Sequence, residues 1–277
     1  MNMRDKFLNS KVYNLEETNF RWHENHIFKL RTETTENEVY LGLTKDPLIF
    51  LNDLKIDESD INPDLLVFAS RHTSKTARPA FLVHTTGNWN DNVDFGGEPR
   101  QLSKTSALLH KAGFMSLVEQ ELPPLLSDFS LDIEVTHHGP TRLEKPLIFM
   151  ELGSSKKEWI IDVAGELLVK AIVNTSFKYL EFHEKRSDLI GLGFGGTHYA
   201  PNFHRLIRNK DVAMSFICPK YYIQQLNEDL IGQMIKNTHE KVDFFIIDWK
   251  GTNSTDKKHL IPLLEEFEIP IKKTKDF

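Results

Sequence analysis

The side chains in this sequence that could do acid–base or metal chemistry recur at one kind of place, the end of an apolar run. Residues 129–135 form such a run and finish in Thr136-His137-His138-Gly139-Pro140-Thr141, which delivers two imidazoles, two hydroxyls and a turn-forming Gly-Pro together. Adjacent side chains on a strand point to opposite faces, so His137 and His138 can serve one site only where the strand has ended and the backbone bends. Gly139-Pro140 supplies the bend. Residues 66–70 likewise run into Arg71-His72-Thr73-Ser74, and 80–83 into His84-Thr85-Thr86-Gly87-Asn88-Trp89. Residues 147–152, which include Glu151, run into Gly153-Ser154-Ser155, and 189–194 into Gly195-Gly196-Thr197-His198. His72, His84, His137 and His198 thus all stand at strand ends. A parallel sheet gathers such ends along one edge, where open α/β sheets place their sites, so these residues are expected to share a pocket. Imidazoles beside a carboxylate suit proton transfer or the binding of a divalent metal.

The elements that must position them alternate. From residue 66 onward, strand-like runs are interleaved with amphipathic stretches at 102–122, 156–177, 202–209, 226–238 and 255–267. The clearest helix is 156–177, where Trp159, Ile160, Val163, Leu167 and Val173 keep a three-to-four residue spacing. Ser154-Ser155 cap its start and Glu158 is placed to return a hydrogen bond as in a capping box. Its free N–H groups make a phosphate or oxyanion site of Ser154, and Gly195-Gly196 can bring bare backbone N–H groups close to the same kind of ligand. The apolar runs 212–217 and 242–248 suit strands buried on both faces. Residues 27–32 and 39–43 resemble short strands joined by a Thr/Glu/Asn turn. The expectation is one α/β domain over residues 1–277, with a mixed, largely parallel sheet flanked by helices and residues 1–60 as an appended subdomain at most. The polar stretch 91–99 is a surface loop or a lid.

Composition narrows the class. The 277 residues carry a formal charge of −6, which argues against a protein that coats nucleic acid non-specifically but not against a local basic grip. Arg71, Lys75 and Arg78, Lys156 and Lys157, and Arg205, Arg208 and Lys210 form such clusters. The sequence lacks an apolar stretch long enough to cross a membrane, its first residues lack the apolar core of a secretory signal, and a cytoplasmic location is expected. With one cysteine, Cys218, a thiolate metal cluster is excluded, so any transition metal must use His, Asp or Glu. The dinucleotide fingerprint, the phosphate loop, the Gly-x-Ser-x-Gly elbow and the His-Glu-x-x-His helix are all absent.

Taken together, the motifs are specific. Ser70-Arg71-His72-Thr73-Ser74, Val83-His84-Thr85-Thr86-Gly87-Asn88-Trp89, Phe95-Gly96-Gly97, Val135 to Thr141, Met150-Glu151-Leu152-Gly153-Ser154-Ser155, Gly195 to Pro201 and Asp248-Trp249-Lys250-Gly251 resemble the archaeal- and plant-type D-aminoacyl-tRNA deacylases in order. The chain departs from that pattern at its amino terminus and at Asn202-Phe203-His204. The resemblance implies a fold like the phosphorylase and peptidyl-tRNA hydrolase class, zinc as cofactor, and hydrolysis of the ester joining a D-amino acid to the terminal ribose of tRNA. On that basis His84, His137 and Glu151 are metal ligands with His138 a further candidate, and Glu151 can instead orient an imidazole. His138, His72 and His198 are the catalytic candidates, and Arg71, Lys75 and Lys250 contact the tRNA acceptor end. A monomer without an obligate protein partner is expected. The competing readings are a peptidyl-tRNA hydrolase-like or metallo-aminopeptidase activity, a metal-free His/Asn mechanism using Asn88, and a non-catalytic tRNA-binding module.

Overall fold

A computed structural model describes residues 3–10, 13–31 and 38–277, the side chain of Asp57 apart. The chain opens with a short helix α1 (Met3–Leu8) and an antiparallel sheet of β1 (Leu15–Trp22), β2 (Asn25–Leu30) and β3 (Tyr40–Leu41). The expected strands near 27 and 39 are present, while Thr32 and the turn after it lie outside the described residues.

The strands β4 (Leu66–Arg71), β5 (Ala80–His84), β6 (Ser130–Ile133) and β7 (Leu147–Gly153) form one sheet in the order β4-β7-β5-β6. A second sheet has the order β11-β10-β8-β9, with β8 (Leu189–Phe194), β9 (Val212–Cys218), β10 (Phe244–Ile247) and β11 (Ile271–Lys273). Every pairing in these two sheets is parallel except β5 against β7. That exception corrects the expected common edge. Because β5 runs against β7, Leu82 pairs with Glu151 and His84 with Phe149, so the end of β5 lies beside the middle of β7 and the site sits on a sheet face.

Helices cover both sheets. They are α2 (Ala107–Val118), α3 (Lys156–Trp159), α4 (Asp162–Lys185), α5 (Pro201–Asn209), α6 (Glu228–Asn237) and α7 (Ser254–Glu265). The expected helix 156–177 is two: the capping box of Ser155 and Glu158 starts a single turn, and the chain turns at Ile160 and Ile161 before α4 begins. One core joins Phe81, Val83, Ile148 and Met150 of the first sheet to Met214 and Ile246 of the second through α2, α4 and α5. On the other face Phe194, Phe216, Phe245 and Ile247 pack on Leu230, Ile231, Leu260 and Leu264 of α6 and α7. Burial on both faces explains why these runs are apolar without alternation. At about 25 cal/mol per Å², each such side chain contributes roughly 1.5–3 kcal/mol relative to exposure.

The segment after β6 ties the two sheets together. Glu134 N–H still donates to Val83 O at 3.0 Å, but Val135 N–H donates to His198 O at 2.9 Å and Thr136 N–H to Ile217 O at 3.0 Å. Thr136 Oγ1 meets Thr85 Oγ1 at 2.7 Å and accepts from Ile217 N–H at 3.0 Å. Residues 134–138 therefore run along the seam where β5, β8 and β9 end. That seam is where the histidines meet.

Candidate active site

His84 is the last residue of β5, fully buried, its ring stacked on Phe149 with centroids 5.2 Å apart. His137 lies 4.3 Å and His138 4.8 Å from it, ring centroid to ring centroid. The bend expected at Gly139-Pro140 begins one residue earlier, with His138 in the left-handed region at φ +44°. Gly139 packs so tightly on Gly97 and Ile49 that a Cβ would overlap their backbone atoms. This close approach is what turns the second imidazole back toward the first.

The tautomers are set by the backbone. Nδ1 of His84, His137 and His138 faces the carbonyls of Thr85 (3.1 Å), Val135 (2.8 Å) and Gly139 (2.7 Å). A carbonyl only accepts, so Nδ1 carries the proton and each Nε2 keeps its lone pair, the arrangement found in metal-ligating imidazoles. His72, just past β4, donates from Nδ1 to Glu151 Oε2 at 3.1 Å, and His84 Nε2 lies 3.8 Å from the same oxygen.

A further carboxylate completes the cluster. Glu134 is 1% exposed; its Oε1 accepts from His198 Nε2 at 2.8 Å, and its Oε2 lies 3.8 Å from His72 Nδ1 and 4.0 Å from His137 Nε2. Sequence reasoning missed Glu134 because it falls inside a strand-like run. The signal was there: a carboxylate among apolar residues, three positions before His137. Tyr221, from the turn after β9, places its hydroxyl 3.3 Å from His198 Nδ1. Burial pushes the Tyr221 phenol up, so it stays protonated and donates.

The charges divide the cluster in two. Burial alone would lower His72 and His84, but the hydrogen bond of His72 to Glu151 and the nearby charges of Glu151 and Glu134 outweigh it and raise both. Burial would raise Glu151, yet the hydrogen bond from His72 and the nearby imidazoles of His84 and His138 hold it well below the usual carboxylate range. Burial and the neighbouring imidazoles, His84 foremost, push His137 well down and His138 to about 4. Both are neutral bases at neutral pH.

The donor set fits a cation. His72 Nε2, His84 Nε2 and Glu134 Oε2 are buried and lack hydrogen-bond partners, which is costly unless something else satisfies them. Three overlapping groups, His84 with His137 and His138, Glu134 with His137 and His198, and His72 with Glu134 and Glu151, each bring their donor atoms within 4.8 Å of one another. Tetrahedral zinc with bonds of about 2.0–2.1 Å needs donors roughly 3.3 Å apart, so small side-chain movements suffice.

Other expected site residues are placed elsewhere. The N–H groups of Gly195 and Gly196 are taken by Cys218 O and Gly251 O, and a Cβ on Gly195 would overlap Thr252 Oγ1. These glycines are packing devices, which corrects their expected role as oxyanion or phosphate donors. Ser154 is corrected likewise: its hydroxyl donates to Arg78 O at 2.6 Å, and Glu158 accepts from the backbone of Ser154 and Ser155. Arg71 is exposed, its guanidinium 5.0 Å from the centre of the Trp159 ring; Lys75 is exposed on the loop that follows. Lys250 is exposed on the turn after β10, in the other sheet from Arg71 and Lys75. The amide of Asn88 donates to Gly96 O and Glu98 O and pins the loop 91–99, so it holds structure where a metal-free mechanism would need it free. Cys218 is buried and its thiol pushed well up by burial, which leaves it inert.

Known proteins share this plan. The family model described as D-aminoacyl-tRNA deacylase matches residues 59–272. The D-aminoacyl-tRNA deacylase of Pyrococcus abyssi is 31% identical over 97% of this chain and 93% of its own length. That of Thermococcus onnurineus is 35% identical over 85% and 84%, and that of Methanocaldococcus jannaschii 34% over 73% and 79%. A crystal structure of a conserved protein of unknown function superposes with a TM-score of 0.80 at 29% identity, covering 99% of this chain and 90% of that one. The alignment with the Pyrococcus abyssi protein takes in nearly the whole chain, so the divergent amino terminus is part of the likeness. The family model and these relatives agree, and the chain belongs to the D-aminoacyl-tRNA deacylase family.

Proposed function

We propose that this protein hydrolyses the ester linking a D-amino acid to the terminal ribose of tRNA, releasing free D-amino acid and tRNA, with zinc held by His84, His137 and His138, whose donor atoms meet within 4.8 Å, and with Glu151 beside them. The observation that carries the reading is the set of buried, partnerless donor atoms on His72, His84 and Glu134, converging with four further His and Glu side chains at one seam. Zinc at such a centre supplies a positive charge that acidifies water to a pKa of about 7 and polarises the ester carbonyl.

The chain's own groups manage the protons. Glu134 accepts from His198 Nε2, which leaves the lone pair of that imidazole on Nδ1, at the half-exposed side of the site beside Tyr221. The attacking water gives its proton to the Tyr221 hydroxyl as that hydroxyl passes its own to His198 Nδ1, and Glu134 stabilises the imidazolium that results. The same imidazolium returns the proton to the departing ribose oxygen. His138, a neutral base tied by Nδ1–H to Gly139 O, offers its Nε2 to the centre without a proton to lose. His72 holds Glu151 in place. The carboxylates that favour a positive charge on His72 and His84 would favour a bound cation for the same reason. We place the reaction in the cytosol, where charged tRNA is made and used.

The test is deacylation of matched D- and L-aminoacyl-tRNA over a range of protein concentrations. Loss of the D-ester well above the no-enzyme rate, with the L-ester spared, supports the reading. Equal decay of both at the no-enzyme rate leaves a tRNA-binding module.

A further inference from the structure

A positive surface is built directly onto His72. Residues 72–78 follow β4, and two segments far apart in sequence are stitched there: Ser74 N–H donates to Ser154 O at 3.2 Å, Ser154 Oγ to Arg78 O at 2.6 Å, and Trp159 Nε1 to His72 O at 3.0 Å. The Arg71 guanidinium sits over the Trp159 ring. This stitching sets side by side Arg71 at the end of β4, Lys75 and Arg78 on the loop after it, and Lys156 and Lys157 on α3, all exposed.

The charge is not neutralised locally. Among the described residues, Arg71, Lys75, Lys156 and Lys157 form no ion pair with a carboxylate, and Arg78 reaches Asp132 only at 3.5 Å. The acids nearest in sequence are already engaged: Glu158 is buried as the cap of α3, and Asp162 pairs with Lys6 at 2.6 Å. A chain with a net charge of −6 thus keeps unpaired cations beside the backbone of a site residue. Ordinary solvated lysines need no such scaffold, since surface cations gain little from fixed positions. A polyanion held at several phosphates gains from them all.

We infer that residues 71–78, the end of β4 and its loop, and 155–159, the start and turn of α3, form the surface that grips the phosphate backbone of the tRNA acceptor end, Arg71 nearest the reacting ester and Lys75, Lys156 and Lys157 further along the strand. The inference rests on the reading of the chain as a tRNA deacylase and says where that tRNA lies. The contacts are to phosphates, so the grip is indifferent to base identity and sensitive to salt. The ester itself is held by the buried centre. The length of the RNA then decides how much the cations matter.

The experiment compares the full chain with its Lys75→Glu/Lys157→Glu variant on two substrates, an intact D-aminoacyl-tRNA and a D-aminoacyl ester of adenosine that carries no phosphate. The expected result is a KM for the tRNA raised roughly tenfold or more at low salt, with kcat retained. The dependence of log(kcat/KM) on log[salt] should flatten by about one unit per cation lost, and turnover of the adenosine ester should not change. An unchanged KM for tRNA, or an equal loss on both substrates, overturns the inference. If the unmodified protein cleaves neither ester, the deacylase reading fails on its own. Binding of uncharged tRNA then tests the surface separately: an affinity the variant shares with the unmodified protein overturns it, and a weakened one supports it.

Discussion

His198 Nε2 lies 2.8 Å from Glu134 Oε1, joining the loop after β8 to the segment after β6 across the seam between two sheets. Glu134 fixes the tautomer of His198, and its other oxygen faces His72 and His137 without a hydrogen bond. One carboxylate thus serves both the proton-transfer pair and the cation-binding cluster.

Glu134→Gln tests that double role. The amide keeps the size of the side chain but presents a different donor pattern to His198 and removes the charge. Steady-state kinetics should show kcat reduced by about a hundredfold or more with KM for the charged tRNA little altered, and metal analysis should show weaker zinc retention. Wild-type turnover in this variant would remove Glu134 from the site.

His138→Ala should lower deacylation by at least about a hundredfold while the thermal midpoint stays near that of the unmodified protein. Its one side-chain hydrogen bond is to the neighbouring Gly139 carbonyl, and its ring contacts are with His84, His137 and Phe149 around the site itself, outside the main core. Equal losses of activity and stability would mark it as structural.

His110 gives a pH dependence whose sign can be worked out. It is fully buried on α2 with Nδ1 2.8 Å from Met214 O, and burial pushes it down to about 4 from the ordinary 6.5. The unfolded chain therefore binds more protons than the folded one between those values, and stability is intact above pH 6.5 and lost as pH falls toward 4. His110→Asn keeps a donor for Met214 but cannot be protonated. Urea midpoints at pH 7 and pH 4.5 should fall less between the two conditions in the variant than in the unmodified protein; an identical fall would contradict the assignment.

Gly195→Ala separates packing from catalysis. Gly195 has φ +101°, its N–H is bonded to Cys218 O, and an added Cβ would overlap Thr252 Oγ1. The expected cost is stability, at least about 2 kcal/mol from backbone strain and overlap. A loss of kcat at unchanged stability would restore Gly195 as an oxyanion donor.

The sequence made the chemistry more legible than the architecture. His72, His84, His137 and His198 could be read because imidazoles at the ends of apolar runs break the local pattern, and the structure brings them together with Glu151. Local rules also held at Ser155 and Glu158, whose capping box depends only on near neighbours. Strand direction did not follow, since neither β5 nor β7 records in its residues that the two run antiparallel, a choice settled by packing between distant segments. Glu134 was hidden because a single acid in a strand reads as a solvated position until its neighbours are known. Gly195 and Gly196 were misread for a related reason: a glycine pair signals close approach of the backbone, and only the fold reveals that the approaching group is the turn 248–252 of the same chain.

The central claim is that the His/Glu seam binds zinc and thereby cleaves the D-ester. It is tested most directly by following D-aminoacyl-tRNA deacylation by the purified protein before chelation, after exhaustive chelation, and after return of zinc. The account predicts activity that disappears with the metal and recovers when zinc is restored at about one equivalent or more. Full activity in chelated protein shown to be free of zinc would contradict it.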